Sequence, residues 1–364
     1  MIGLALSGGG SRAIAFHRGC LRALHDTGVL DRVSVVTAVS GGSVIAGMYA
    51  YSNDSFEEFD RRVTRVLSCG LHKAIVRQLV SPRLLIQVLA SNVVSRPAAA
   101  LASMIGRQPP LRRWASRSDA MEQALRRTLF HDLKLADVAR PGVDVVLNAC
   151  ELRTGTAFRF GNRRSGSWRT GEVRGNDIAV AHAVACSAAY PMFMPAFDRE
   201  YAFVKDGQTV TRRVVIADGG VYDNLGVSCI EPGRDSDFSL HSYSPDYVIC
   251  CSAGHGQFTG ETIPYGFVSR ATAAFDAVFR KAQDATFKRL HTLRESGLLK
   301  GFVLSYLGQQ DSALPSHLPD LVPRADVYGY PTNFAAMPEK TIERISLRGE
   351  QLTRLLLRHY CPEL

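Results

Sequence analysis

The 364-residue sequence has no Cys-x-x-Cys pair and no His-Glu-x-x-His run, which removes the commonest dithiol and zinc signatures. Its eight cysteines lie mostly in apolar stretches such as "YVICCSAG", so they read as buried thiols of a reducing compartment. No uninterrupted apolar run reaches the roughly 18 residues of a membrane span, and none is expected. Met1 leads within three residues into "LALSGGG", leaving no room for a charged, apolar and cleavable leader. The expectation is a cytoplasmic protein, with a peripheral place on membranes left open.

Acidic residues are missing from one long window. Between Arg61 and Ser118 no Asp or Glu occurs, whereas eleven Lys and Arg do. The formal charge of +9 therefore belongs to this segment. Trp114 is its only aromatic residue, so the aromatic interleaving of a nucleic-acid surface is absent and no nucleic acid is expected. An anionic membrane is the better partner for residues 61–118, because headgroups attract each nearby Lys or Arg by about 1 kcal/mol. The window also holds "LLIQVLASNVV" and "AAALASMI". The bland alternative is a solvated helical face whose acidic partners come from elsewhere in the fold.

The rest of the chain is rhythmic. "IGLALS" reads as a buried strand, "GGG" as a tight loop, and "SRAIAFHRGCLRALHDT" as a helix stopped by Gly28. "RVSVVTAVS" is a second strand, and "GGSVIAGMYAY" opens a second helix. This alternation predicts an α/β fold with a mostly parallel central sheet and helices on both faces. Residues 52–140 break the rhythm as a helical insertion. Strands return in "VDVVLNACEL", "TAFRFGN", "RRVVIADGG" and "DYVICCSAG", with an Asp-Gly hairpin in "VKDGQTV". Residues 1–231 read as a core and 232–364 as C-terminal strands and helices packed on the same domain.

Three glycines between a strand and a helix bring backbone N–H groups toward negative charge. Gly8-x-Gly10-x-x-Ala13 fits a dinucleotide fingerprint, but the second strand ends "TAVSGG" without the acid a ribose needs. An oxyanion hole at Gly8, Gly9 and Gly10 is the stronger reading, given a serine at the neighbouring strand end. Ser40 stands there, between Ala38 and the pair Gly41 and Gly42, close to the G-x-S-x-G elbow but with Ala at its first position. A hydroxyl nucleophile needs a base. The sharpest candidate is Asp218, at the end of "RRVVIAD" and before Gly219 and Gly220; His255 would serve only in a Ser-Asp-His arrangement, which a nucleophile after the second strand disfavours. His17 and His182 read as satisfied helix-face residues.

The blocks "SGGGSRA" (7–13), "AVSGGS" (38–43), "ACSAAYPMFMP" (185–195) and "DGGVYDNLG" (218–226) resemble, in order, those of the patatin-like phospholipases, which are related in active site to cytosolic phospholipase A2. The resemblance implies a Ser40–Asp218 dyad without His, an oxyanion loop at Gly8 to Gly10 with Arg12 beside it, an acyl-serine intermediate and no cofactor or metal. It implies a phospholipid or other acyl-ester substrate, of phospholipase A or lysophospholipase type. The competing expectation is an inactive relative acting as a basic membrane- or nucleic-acid-binding module.

Overall fold

The computed structural model describes residues 1–256, 260 and 263–364. Its start follows the predicted rhythm: β1 (Ile2–Leu6), α1 (Gly10–Asp26), β2 (Val33–Val39) and α2 (Gly41–Ala50). Four helices fill the insertion: α3 (Phe56–Cys69), α4 (His72–Leu79), α5 (Pro82–Met104) and α6 (Arg117–Leu125). Then come β3 (Asp144–Glu151), β4 (Thr156–Gly161), β5 (Ser165–Ser167), β6 (Gly171–Val173), α7 (Val180–Ser187), β7 (Phe197–Lys205), β8 (Gln208–Asp218) and the short α8 (Gly220–Asp223). The chain ends with β9 (Tyr247–Ser252), α9 (Phe267–Glu295), β10 (Gly301–Tyr306) and α10 (Glu339–Tyr360).

The ten strands among the described residues form one sheet in the order β10-β9-β1-β2-β3-β4-β5-β6-β7-β8. The expectation of a mostly parallel sheet holds only for its first half, where β10, β9, β1, β2 and β3 run parallel. From β3 to β8 every pairing is antiparallel, and β8 returns to pair with β3, curling this half into a barrel-like closure. Connection length is the physical reason for the pairs joined by short loops, though not for β6 and β7, which are linked through α7. Parallel neighbours need long crossovers, whereas residues 152–155 and the Asp206-Gly207 turn, with φ of 50° and 73°, can join only antiparallel strands.

Side chains alternating along the parallel strands sort into two cores. Leu4, Leu6, Val36, Ala38, Leu147, Ile249 and Cys251 join the larger cluster, with residues of α1, α2, α3, α7 and α10. Ala5, Val35, Val146, Val248 and Cys250 face the smaller one, closed by Leu225, Val227, Ile230 and, from the end of α9, Leu290. This is the period of two expected of strands buried on both faces. Seven of the eight cysteines are buried and all are free thiols; Cys69 is exposed.

The insertion departs from the sequence expectation in one respect. Polar residues such as Gln87, Ser91 and Arg96 interrupt the apolar run of α5, yet an 18-residue window has a mean hydropathy of 1.4 and is only 17% buried. By length and composition α5 is able to cross a membrane.

Candidate active site

The close approach of α2 to the loop after β1 dictates small residues around Ser40. A Cβ on Gly41 would fall 2.3 Å from the Gly10 carbonyl oxygen, and one on Gly42 would fall 2.2 Å from that of Leu6. Ser40 itself turns the chain with φ 53° and ψ −118°, a region costing a non-glycine residue about 1–3 kcal/mol. Ala38, by contrast, lies inside β2 opposite Leu6 and Leu147, fully buried in the larger core. A methyl group fits there, so the elbow tolerates alanine at its first position.

Register brings the carboxylate to the hydroxyl. Val39 pairs with Asn148 on one side of β3, and Asp218 pairs with Ala149 on the other, so Ser40 and the end of β8 meet across a single strand. The Ser40 side chain lies close enough to the Asp218 carboxylate to lower its pKa. Gly220 N–H donates to the same carboxylate at 2.7 Å. Burial raises the Asp218 pKa from 3.8 to about 7, against the pull of those two groups. Such a carboxylate is poised to exchange a proton near neutral pH.

Ser187, inside the quoted block 185–195 but given no role by the sequence, ties these parts together. Its Oγ accepts from the Ser40 N–H at 3.0 Å and donates to the Asn148 carbonyl at 2.6 Å. Ser43 Oγ lies 2.8 Å from it. The Ser187 carbonyl accepts from Gly219 N–H, and the Ala189 carbonyl from Asp218 N–H. One helix end thus holds both the elbow and the turn after the carboxylate. The sequence signal was a serine ending the alanine-rich "AVACS".

The glycine loop divides its N–H groups. Gly8 N–H is taken by the Asn224 carbonyl at 3.1 Å, so the expected third oxyanion donor is engaged within the protein. Among the described residues the N–H groups of Gly9 and Gly10 meet no acceptor. Gly9 and Gly10 have φ of 144° and 58°, and a Cβ on Gly10 would lie 2.4 Å from the Asn333 carbonyl oxygen. The starts of α1 and α2 meet here, so two helix N-termini favour negative charge at the same place. Asn224 and Asn333 are further site residues that sequence reasoning missed.

Arg12 is buried and braces the loop from behind. Its Nε donates to the Ala253 carbonyl at 2.9 Å, and its terminal nitrogen to the Tyr330 carbonyl and the His255 ring. Burial lowers its pKa to about 10. These partners fix the guanidinium against the glycine loop, where a Cβ on Gly9 would lie 3.6 Å from its second terminal nitrogen. His255 is likewise engaged, with Arg12 and with the Tyr328 carbonyl at 2.6 Å. His17 contacts the Ser7 carbonyl at 2.9 Å, and His182 bridges Glu122 at 2.8 Å and Tyr201 at 2.7 Å. No three metal-ligating side chains converge among the described residues.

Human GIVD cytosolic phospholipase A2 has a similar fold, with a TM-score of 0.55 and 13% identity, covering 99% of this chain and 60% of that one. The same human enzyme in complex with methyl gamma-linolenyl fluorophosphonate gives a TM-score of 0.52 and 13% identity, over 99% and 58%. This chain therefore spans less than two thirds of the length of these structures. VipD from Legionella pneumophila aligns with a TM-score of 0.40 and 14% identity, over 99% of this chain and 66% of that one. No curated protein sequence matches. The family model for patatin-like phospholipase matches residues 4–228, a span holding the glycine loop, Ser40, Ser187 and Asp218, and the chain belongs to that family.

Proposed function

We propose that this protein hydrolyses carboxylic esters of lipids, of phospholipase A or lysophospholipase type, through Ser40 and Asp218. The observation that carries the proposal is the strand register that sets Ser40 and the buried Asp218 together across β3, with burial raising the carboxylate pKa to about 7. As Ser40 Oγ bonds to the acyl carbon, its proton passes to Asp218, and the carbonyl oxygen becomes an oxyanion facing the Gly9 and Gly10 N–H groups. Collapse breaks the ester bond, and the leaving alkoxide takes the proton from Asp218. Water then gives a proton to Asp218, attacks the acyl-serine and releases the fatty acid; the proton returns to Ser40.

The basic window supports a site of action on anionic membranes. Of its eleven cations only Arg62 pairs with a carboxylate among the described residues, Asp54 at 2.9 Å. The bland reading, in which acids from elsewhere neutralise the window, loses its support. The protein would then be a cytoplasmic enzyme working at the membrane periphery.

A panel of phospholipids and lysophospholipids assayed with wild type, Ser40→Ala and Asp218→Asn tests the proposal, together with fluorophosphonate labelling. Hydrolysis and labelling by wild type, both lost in Ser40→Ala, are expected. Hydrolysis persisting in Ser40→Ala would remove the nucleophile from the scheme, and a wild type that neither labels nor hydrolyses would favour the binding-module reading.

A further inference from the structure

Helix α5 is built inside out for a helix in water. Helices on soluble proteins turn their apolar stripe to the core and polar residues outward. In α5 the buried positions are Leu84, Ser91, Ser95 and Ala102. The outer stripe carries Ile86, Leu89, Val93, Leu101 and Met104, and Val93 and Met104 are 71% and 83% exposed. The helix lies along the protein instead of projecting from it, because its serine face is the one it buries and Ser91 Oγ accepts from Ala115 N–H at 3.4 Å.

Charge around the stripe is of one sign. Lys73, Arg77, Arg83, Arg96, Arg107 and Arg112 are exposed, and none has a carboxylate partner among the described residues. A second copy of the chain on this face would bring two such basic rims together and be repelled. An anionic bilayer complements both features, with hydrocarbon for the stripe and headgroups for the rim. Lys and Arg stems are long enough to keep their charges at headgroup level while the helix sinks below it.

The chain leaving α5 returns to the catalytic residues. Arg113 N–H donates to Asp198 at 2.9 Å, and the Ser118 hydroxyl donates to the Pro195 carbonyl. Pro195 ends a loop that exposes Met192 and Phe193 and begins next to Ala189, whose carbonyl holds Asp218.

We infer that α5 seats its outer stripe in the hydrocarbon layer of an anionic bilayer, lying in the plane of the membrane and not across it. The docked surface would hold the loop before β7, and with it the Ser40–Asp218 pair, at the lipid. This last point rests on the lipid-hydrolase reading; the docking itself does not.

The test is co-flotation of the full chain with phosphatidylcholine vesicles, with and without phosphatidylserine, beside hydrolysis of a soluble short-chain ester. The expected result is binding that needs phosphatidylserine and falls at least about tenfold in the triple variant Ile86→Gln, Val93→Gln, Leu101→Gln, with soluble-ester hydrolysis unchanged. A Val93→Trp variant should gain fluorescence that bromine-labelled acyl chains quench. Wild-type indifference to vesicles, equal binding by the triple variant, or unquenched Trp would each overturn the inference. So would a solution dimer that the triple variant dissolves, because the stripe would then be covered by a second copy. Failure of soluble-ester hydrolysis with docking intact would count against the hydrolase reading alone.

Discussion

Replacing Asp218 with Asn should make the protein more stable at alkaline pH and much less so at acid pH, while destroying its activity. Burial raises the carboxyl pKa from 3.8 to about 7 in the folded chain. A group raised in this way contributes its stability fully below the unfolded pKa and loses it as pH rises through the folded one. At about 1.4 kcal/mol per pKa unit, the wild type has lost about 2 kcal/mol by pH ~5.5 and about 4 kcal/mol by pH ~8.5. Asn does not titrate, so the stability difference between variant and wild type should widen by about 2 kcal/mol between those two pH values, whatever constant offset the amide brings. Urea unfolding of both proteins across that range measures the difference directly. Ser40→Ala is an internal control: it removes one of the two groups that hold the Asp218 pKa down, so its transition should move to higher pH. A difference that stays flat with pH would refute the reasoning, because Asp218 would then be ionised throughout and its burial would not be felt by the carboxylate.

The same shift sets the expected pH dependence of hydrolysis: kcat/KM should rise with pH through about 7 and level off above it, since the base must be ionised in the free enzyme; a rising limb near the ordinary carboxyl pKa would contradict this. Ser187→Ala should lower kcat by roughly tenfold to a hundredfold, with little change in KM, through hydrogen-bond losses of about 1–3 kcal/mol at the elbow; steady-state kinetics on a soluble ester show the split. Gly41→Ala should abolish fluorophosphonate labelling, because its methyl would meet the Gly10 carbonyl oxygen at 2.3 Å and must push Ser40 or the glycine loop aside; labelling at the wild-type rate would mean that the two helix starts are not locked together.

Much of this site was legible because its constraints are local. A serine in a left-handed turn needs small neighbours, and "AVSGG" supplies them; a loop pressed against a helix start needs glycine, and "SGGG" supplies that. What stayed hidden depends on partners far along the chain. The Gly8 N–H is taken by the Asn224 carbonyl, and the Arg12 guanidinium is held by the Ala253 and Tyr330 carbonyls, partners more than 200 residues away. Ser187 was one serine among many until the fold set it between Asn148 and Ser40.

Periodicity and turn chemistry by themselves determined the early β1-α1-β2-α2 unit, the hairpin at Asp206-Gly207 and the identity of the strand-end residues, since each is decided by steric rules acting over a few residues. Tertiary structure alone decided that β8 runs antiparallel to β3 and meets Ser40 across it, that Asp218 is buried deeply enough to hold a proton near neutrality, and that α5 buries Ser91 and Ser95 while exposing Ile86, Leu89 and Val93. Those outcomes depend on desolvation and on which surfaces are covered, and a chain read in one dimension carries the residues but not their neighbours.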